Sequence, residues 1–282
     1  MRLLKNIQPI PALLIFLSTA FACVPAPHLP STEQSNDITL LPSVDEVTQE
    51  YSEEIEPLYW DVENVDVSDV DKGKKLISFT FDDSPARTLE SILAVFASFN
   101  ENNEDCKASA TIFFNGGLFN DETPHLLYSA LALGFELGNH THSHYDLTTL
   151  NNQTLLSEIE STDELLKQAD GQKYHLLRAP FGKINDQVRT YAKTPIIDWT
   201  IDTLDWTGAS ADDIYHTVFD NRFPGAIVLM HDGYEGTVSA LKHLLPDLKA
   251  DGYQVVSVSK MIKVHGCNFR NGKVYIRARK QN

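Results

Sequence analysis

The chain has few basic residues and few cysteines, and each shortage argues against a class of protein. Its 23 lysines and arginines face 39 aspartates and glutamates, which gives a formal net charge of −16 over 282 residues. Nucleic-acid binding needs a basic face that neutralises phosphates, so this balance argues against it. Three cysteines are too few for a scaffold held together by disulfides. The apolar run near the N-terminus is too short for a comfortable membrane span.

Residues 1–22 have the layout of an export signal. Two basic residues near the start are followed by the apolar run PALLIFLSTAFA, and residues 20–22 (Ala-Phe-Ala) supply a small-x-small cleavage site. Cleavage there would leave Cys23 as the first mature residue, the position that carries lipid in bacterial lipoproteins. Ala20 stands where such signals usually have leucine, so a lipid anchor at Cys23 and ordinary secretion both remain open. In either case we expect an exported protein that is secreted, periplasmic or membrane-anchored.

Residues 23–71 are predicted to form an acidic, proline-containing spacer. From 24 to 71 the chain holds thirteen Asp or Glu residues and no Lys or Arg. A stretch of this composition resists burial and favours a solvated linker. The folded domain is predicted over residues 72–261, and the basic residues 262–282 are predicted to be a C-terminal tail.

From residue 72 onward, short apolar runs alternate with amphipathic runs of helical spacing. This alternation is typical of parallel β/α units. Because the chain is long enough for one sizeable core, we expect a single α/β domain, a distorted or incomplete (β/α) barrel of about seven parallel strands. The predicted strands are 76–81, 109–114, 135–139, 174–180, 195–201, 226–232 and 253–259.

Unusual polar residues lie at or just beyond the ends of five of these predicted strands. Taken singly they have ordinary explanations, because paired aspartates suit a helix N-cap and clustered histidines suit a polar loop. In β/α barrels, however, the active site lies at the carboxyl ends of the strands, so we expect these side chains to converge. Imidazole and carboxylate ligands that leave coordination positions open for water or substrate suit zinc or another first-row transition ion. The residues are Asp82, Asp83, His140, His142, His144, Arg178, Asp202, Asp205, His231 and Asp232.

Five short motifs occur in order within residues 74–261. They are TFDD at 80–83, HTHSH at 140–144, RAPFG at 178–182, DTLDW at 202–206 and LMH at 229–231. In sequence and spacing they resemble the motifs of the polysaccharide deacetylase family, also known as the NodB-homology domain or family four of the carbohydrate esterases. Four positions depart from the family pattern in loops that line the groove, which leaves the substrate preference open: Ser84, His142, Ala179 and Phe181.

The resemblance implies a metal site and an acid–base pair. Asp83, His140 and His144 are expected to bind one divalent ion, with zinc as the default. Asp82 is expected to act as the catalytic base and His231 as the general acid. The middle histidine of the cluster is not expected to be a ligand.

The resemblance also implies supporting and substrate-binding residues. Arg178 is expected to pair with the base, and Asp202 to orient and charge the acid. Trp206 and Leu229 are expected to line the pocket for the acetyl methyl group. The backbone N–H of Phe181 is expected to help hold the oxyanion.

The predicted function is hydrolysis by a metal-activated water that removes N-acetyl groups from N-acetylglucosamine units of peptidoglycan or chitin-type oligomers. The alternative is an O-acetyl esterase that acts on acetylated xylan through the same site. A catalytically silent glycan-binding relative should lack a key group, and none is missing. An iron oxygenase would also use two histidines and a carboxylate, but usually on a jelly-roll sheet. No nucleic-acid or protein partner is implied.

Overall fold

The computed structural model describes residues 59–279. The predicted signal peptide, Cys23 and the spacer up to residue 58 lie outside the described residues. Within 59–279 the chain forms eight strands and seven α-helices, and none of these helices is long and apolar enough to cross a membrane. The strands are β1 (Lys75–Ser84), β2 (Thr111–Phe114), β3 (Glu136–Asn139), β4 (Ile196–Ile197), β5 (Ile201–Asp202), β6 (Ile227–His231), β7 (Tyr253–Val255) and β8 (Val274–Tyr275). The helices are α1 (Leu89–Glu101), α2 (Thr123–Ala132), α3 (Asn152–Asp170), α4 (Asp186–Tyr191), α5 (Ala211–Asn221), α6 (Glu235–Ala250) and α7 (Val258–His265).

β1 lies at the centre of a parallel sheet. It pairs with β6 on one side, and on the other its last residues pair with β2 and its first residues with β7. The order across the sheet is β3-β2-β1-β6-β5, and all of these pairings are parallel. β4 pairs separately with β8, and Leu177 forms single bridges to Asn139 and Ile196 that connect the two sheets. The predicted α/β fold with a parallel sheet is confirmed, and this interrupted order is compatible with a distorted barrel.

The two faces of β1 have different environments. Ile77, Phe79 and Phe81 belong to the largest apolar cluster, which α1, α5 and α6 cover. Fully burying a side chain of this size stabilises the fold by roughly 1.5–3 kcal/mol. Because side chains alternate along a strand, Thr80 and Asp82 point to the opposite face of the sheet, where both contact Arg178. That face is polar and carries the groups described below.

The segment 195–201, predicted as one strand, changes its neighbours half-way along. The Ile196 N–H donates to the Lys273 carbonyl beside β8, whereas the Thr200 N–H donates to the Ile227 carbonyl of β6. The single predicted strand is therefore divided into β4 and β5. No periodic pattern in the sequence marks this exchange of partners.

Both ends of the described chain pack against the domain. The indole N–H of Trp60 donates to the Ser259 hydroxyl at 2.8 Å. The final segment, expected as a tail from residue 262, contains the end of α7 and all of β8. A two-residue strand is too short to give a periodic signal, which explains why the sequence did not predict it. Three residues of this segment lie in an apolar core: Cys267, Phe269 and Ala278.

Candidate active site

The predicted site residues converge at the carboxyl ends of β1, β3 and β6. Asp82 and His231 lie opposite each other in the register of β1 with β6, and the Asp232 N–H donates to the Asp82 carbonyl at 3.0 Å. His140 follows β3, and its N–H donates to the carbonyl of Phe114 at the end of β2. Parallel pairing of neighbouring strands therefore brings these groups to one edge of the sheet.

Asp83, His140 and His144 form a cluster of potential metal ligands. Each offers one ligand atom, and these atoms lie within 4.8 Å of one another. Asp83 Oδ1 is 3.3 Å from His144 Nε2 and 3.6 Å from His140 Nε2. Two imidazoles and one carboxylate are a suitable donor set for a first-row transition ion that keeps open positions for water or substrate.

The histidines of this cluster are in states that favour metal binding. His140 is buried, and its Nδ1 lies 2.8 Å from the Arg178 carbonyl oxygen, so Nδ1 carries the proton and Nε2 faces the carboxylates. Burial and the neighbouring His140 lower the pKa of His144, which favours the neutral ring that binds a metal. The residues present therefore fit a divalent ion.

Asp82 forms an ion pair with the buried guanidinium of Arg178. Arg178 Nη1 donates to Asp82 Oδ1 at 2.7 Å and to Thr80 Oγ1 at 2.6 Å, and Arg178 Nε donates to the Ile197 carbonyl at 3.0 Å. Burial alone would raise the pKa of Asp82, but the charge and hydrogen bond of Arg178 act in the opposite direction, and the pKa is lowered. Asp82 is thus held in its ionised form.

Asp205, rather than the predicted Asp202, orients His231. Asp205 Oδ1 lies 2.8 Å from His231 Nδ1, and Asp205 Oδ2 accepts the His231 N–H at 2.7 Å. Asp202 Oδ1 instead accepts the Leu204 N–H at 3.0 Å, and the chain turns at Leu204, where φ is 54°, so that Asp205 is buried. Burial would lower the pKa of His231, but the hydrogen bond with Asp205 and the charge of Asp82 raise it.

Of the three residues predicted to contact substrate, Phe181 and Leu229 lie near proposed site residues, and Trp206 directly follows Asp205 in the chain. The Phe181 ring is 4.7 Å from the His144 ring, and Phe181 has a φ of 61°. The Trp206 side chain is half exposed. Leu229 is buried in β6 two residues before His231, and alternate residues of a strand share one face.

Asp232 is a buried carboxylate to which the sequence assigned no role. Its Oδ2 accepts the Ala86 N–H at 2.6 Å, and its Oδ1 accepts the N–H and the hydroxyl of Thr88 at 3.0 and 2.7 Å. Burial raises the pKa of Asp232. These bonds tie the turn that follows Asp83 to the strand end that carries His231. In the sequence, this role is indicated only by the position of the aspartate directly after His231.

Taken together, a metal-ligand cluster, an ionised carboxylate and a carboxylate-oriented histidine define a candidate hydrolytic metal site. The sequence model of the family described as polysaccharide deacetylase matches residues 69–195. A peptidoglycan-N-acetylglucosamine deacetylase of Bacillus cereus is 32% identical over 198 residues, which cover 68% of this chain and 70% of that relative. The chain belongs to the polysaccharide deacetylase family.

Further relatives and solved structures extend this comparison. The peptidoglycan-N-acetylmuramic acid deacetylase PdaC of Bacillus subtilis is 32% identical over 69% of this chain, which spans 40% of that relative. A solved structure of PdaC matches with a TM-score of 0.63. The match covers 69% of this chain and 93% of the PdaC chain in that structure. A structure of the T48 deacetylase with substrate is 30% identical and has a TM-score of 0.66. The match covers 73% of this chain and 99% of that structure's chain. A bifunctional xylanase/deacetylase of Pseudobutyrivibrio xylanivorans is 30% identical over 70% of this chain, which spans 32% of that relative.

Proposed function

We propose that this chain removes N-acetyl groups from N-acetylglucosamine units of a polysaccharide, with peptidoglycan as the first candidate and chitin-type oligomers as the second. The observation that carries the proposal is the pairing of Asp82 and His231 on adjacent strands beside the three candidate metal ligands. Amide hydrolysis needs a base, an acid and a group that polarises the carbonyl. The relatives of Bacillus cereus and Bacillus subtilis, both described as peptidoglycan deacetylases, support the same substrate class.

Asp83, His140 and His144 are proposed to hold one divalent ion, and zinc is the proposed metal. When bound, such an ion polarises a carbonyl oxygen and makes a water molecule more acidic. The contribution of the chain is to orient the ligands beforehand. The contact between His140 Nδ1 and the Arg178 carbonyl aims Nε2 at the cluster, as outer partners of metal-binding histidines commonly do.

Asp82 is proposed as the general base that takes a proton from the attacking water. A base must be ionised to act, and the lowered pKa of Asp82 meets this requirement at neutral pH. The same ion pair with Arg178 limits the basicity of the carboxylate. Arg178 therefore sets both the direction and the proton affinity of Asp82.

His231 is proposed as the general acid that protonates the leaving nitrogen. Its Nδ1 is engaged with Asp205, so Nε2 is the nitrogen that can serve the substrate. The raised pKa of His231 favours the imidazolium, the form that can donate a proton. An amine is a poor leaving group until it is protonated, so this proton is needed for amide cleavage.

The loops around the site expose apolar side chains that suit a glycan. Tyr145, Phe181, Leu204 and Trp206 are each about half exposed and lie beside proposed site residues in the chain. Exposed apolar groups gathered in one place commonly mark a binding surface. We assign Trp206 and Leu229 to the acetyl methyl group and the Phe181 N–H to the developing oxyanion.

We also propose that the protein acts outside the cytoplasm. The layout of residues 1–22 supports export, and the substrates named for the peptidoglycan deacetylase relatives lie in the cell envelope. Lipidation at Cys23 and free secretion are separated by mass spectrometry of the mature N-terminus.

The proposed activity is tested by acetate release from chitin oligomers, peptidoglycan and acetylated xylan. We expect purified protein loaded with Zn²⁺ to release acetate from a substrate that contains N-acetylglucosamine. His140→Ala, which removes a ligand, should abolish that release. Protein that carries one ion per chain and releases no acetate from any of the three would overturn the proposal.

O-acetyl ester hydrolysis is the second candidate, favoured by the similarity to a bifunctional xylanase/deacetylase. An ester leaves as an alcohol and depends less on an acid than an amide does. If the variant His231→Ala loses amide turnover and keeps ester turnover, the site can perform ester hydrolysis. Comparing the rates of the unmodified protein on peptidoglycan and acetylated xylan decides which substrate it prefers.

A further inference from the structure

The loop that carries both candidate histidine ligands has an unfavourable backbone. In this metal loop, residues 139–144, Thr141 has a φ of 67° and His144 a φ of 55°. Residues with a Cβ rarely adopt left-handed conformations, and a β-branched residue does so least readily. Such conformations persist only where the surrounding structure holds them. The groups that hold the loop therefore influence where His140 and His144 lie.

Asn139 is the first of these groups, and its side chain is completely buried. Its Oδ1 accepts the Thr141 N–H at 2.8 Å, which spans the first left-handed residue of the loop. Its Nδ2 donates to the Ile159 carbonyl at 2.8 Å and to Asp163 Oδ1 at 2.9 Å. The amide is therefore held from α3 on one side and holds the metal loop on the other.

Asp163 is in turn held by His175, outside the catalytic centre. Asp163 Oδ1 lies 2.9 Å from His175 Nδ1, and Asp170, the last residue of α3, lies 3.2 Å from His175 Nε2. All three side chains are at least nine-tenths buried. Burial would lower the pKa of His175, but the two carboxylates raise it to about 9, so His175 is a cation at neutral pH. A buried carboxylate needs such a partner to remain charged.

A second contact from α3 acts on the other end of the loop. Glu158 Oε2 accepts the Ser143 N–H at 2.7 Å, next to the ligand His144. Glu158 and Asp163 lie on the buried side of α3. By contrast, Glu164 and Lys167 form an exposed ion pair on the same helix. Buried polar residues of α3 therefore hold the metal loop, and the exposed residues of the same helix supply a control substitution.

We propose that Asp163 and His175 are positioning residues for metal binding: His175 fixes the Asp163 carboxylate, which fixes Asn139 and through it the metal loop. The ligand geometry would then depend on a charged network that contacts neither the metal nor the substrate. The inference rests on the proposed function only in taking residues 139–144 as the metal loop. It assigns a role to a buried histidine and a buried carboxylate that the acid–base chemistry does not use.

The test measures the affinity of the metal-free protein for Zn²⁺ and Co²⁺ by competition with a chelator. Asp163→Ala removes one of the two acceptors of the Asn139 amide and leaves only the Ile159 carbonyl. We expect metal affinity to fall by about 10–100-fold, the usual cost of losing an outer partner of a ligand. We also expect the visible absorption of the Co²⁺-loaded protein to shift as the ligand geometry changes. Asp163→Asn keeps one acceptor oxygen and should restore most of the affinity. Glu164→Ala is the matched control and should bind like the unmodified protein.

The outcomes separate positioning from a purely structural role. If the network only stabilises the fold, Asp163→Ala will unfold at lower denaturant but bind Zn²⁺ within twofold of the unmodified protein, which would overturn the inference. If Asp163→Ala does not fold, Asp163→Ser replaces it, because its shorter hydroxyl is still polar but does not reach Asn139. If the unmodified protein binds no ion, the metal-dependent function fails as well. If it binds and Asp163→Ala binds equally well, only the positioning role fails.

Discussion

Asp205 contacts His231 through both of its carboxylate oxygens. Oδ1 lies 2.8 Å from the His231 ring nitrogen Nδ1, and Oδ2 accepts the His231 backbone N–H at 2.7 Å. Oδ2 also accepts the hydroxyl of Thr237 at 2.6 Å. The carboxylate therefore fixes the ring and the end of β6 together, and it favours the charged imidazole.

Asp205→Asn is expected to lower kcat for acetate release by about 10²–10⁴-fold. A neutral amide no longer stabilises the imidazolium of His231 and no longer fixes which nitrogen of the neutral ring carries the proton. Asp202→Asn is the matched control. Its carboxylate caps the Leu204 N–H rather than the histidine, so its kcat should stay within a few-fold of the unmodified protein. Equal losses in the two variants would show that the assignment to Asp205 is wrong.

Asp82→Asn is expected to retain the metal and lose activity. Asp82 Oδ2 is 3.7 Å from His140 Nε2, but its other oxygen is committed to Arg178, and Asp82 is not among the three clustered ligands. Loss of a general base typically costs about 10²–10⁴-fold in rate. Metal content by elemental analysis and acetate release on the same sample separate the two effects. Full activity in Asp82→Asn would rule out its role as the base.

The sequence predicts most of the strands and the strand-end clusters well, because both depend on local periodicity and on motif spacing; the predicted strand 174–180 is the exception and forms only single bridges at Leu177. It could not predict the role of Asp205, because that role depends on the left-handed turn at Leu204, a residue type with no preference for this conformation. The pairing of Asp163 with His175 was equally hidden. It depends on how α3 packs against the metal loop, which no short motif encodes. Expected and observed features therefore differ most where tertiary packing decides the partner.

His142→Phe is expected to leave metal content at one ion per chain. The His142 ring lies close to Gly116 and is not in the ligand cluster, and its Nδ1 is buried without a hydrogen-bond partner. An aromatic hydrocarbon ring there should be tolerated. His144→Ala should lose the ion, because three ligands are the minimum in such catalytic sites. The measurement is metal per chain after dialysis, and a matching loss in His142→Phe would make His142 a ligand.

His175 is expected to make the stability of the protein depend on pH. Its pKa is about 9 in the folded protein and near 6.5 in the unfolded chain, so the folded state binds the proton more tightly. This contribution is fully present below about pH 6.5, declines above it and is lost as the pH passes 9; its size is on the order of 3 kcal/mol. Asp163 and Asp170 supply the attraction, with Glu136 of β3 close enough to add to it. The test is the free energy of unfolding by urea between pH 6 and 10 for the unmodified protein and His175→Asn. The titration of His231 is common to both and cancels in the difference, so two parallel curves would contradict the prediction.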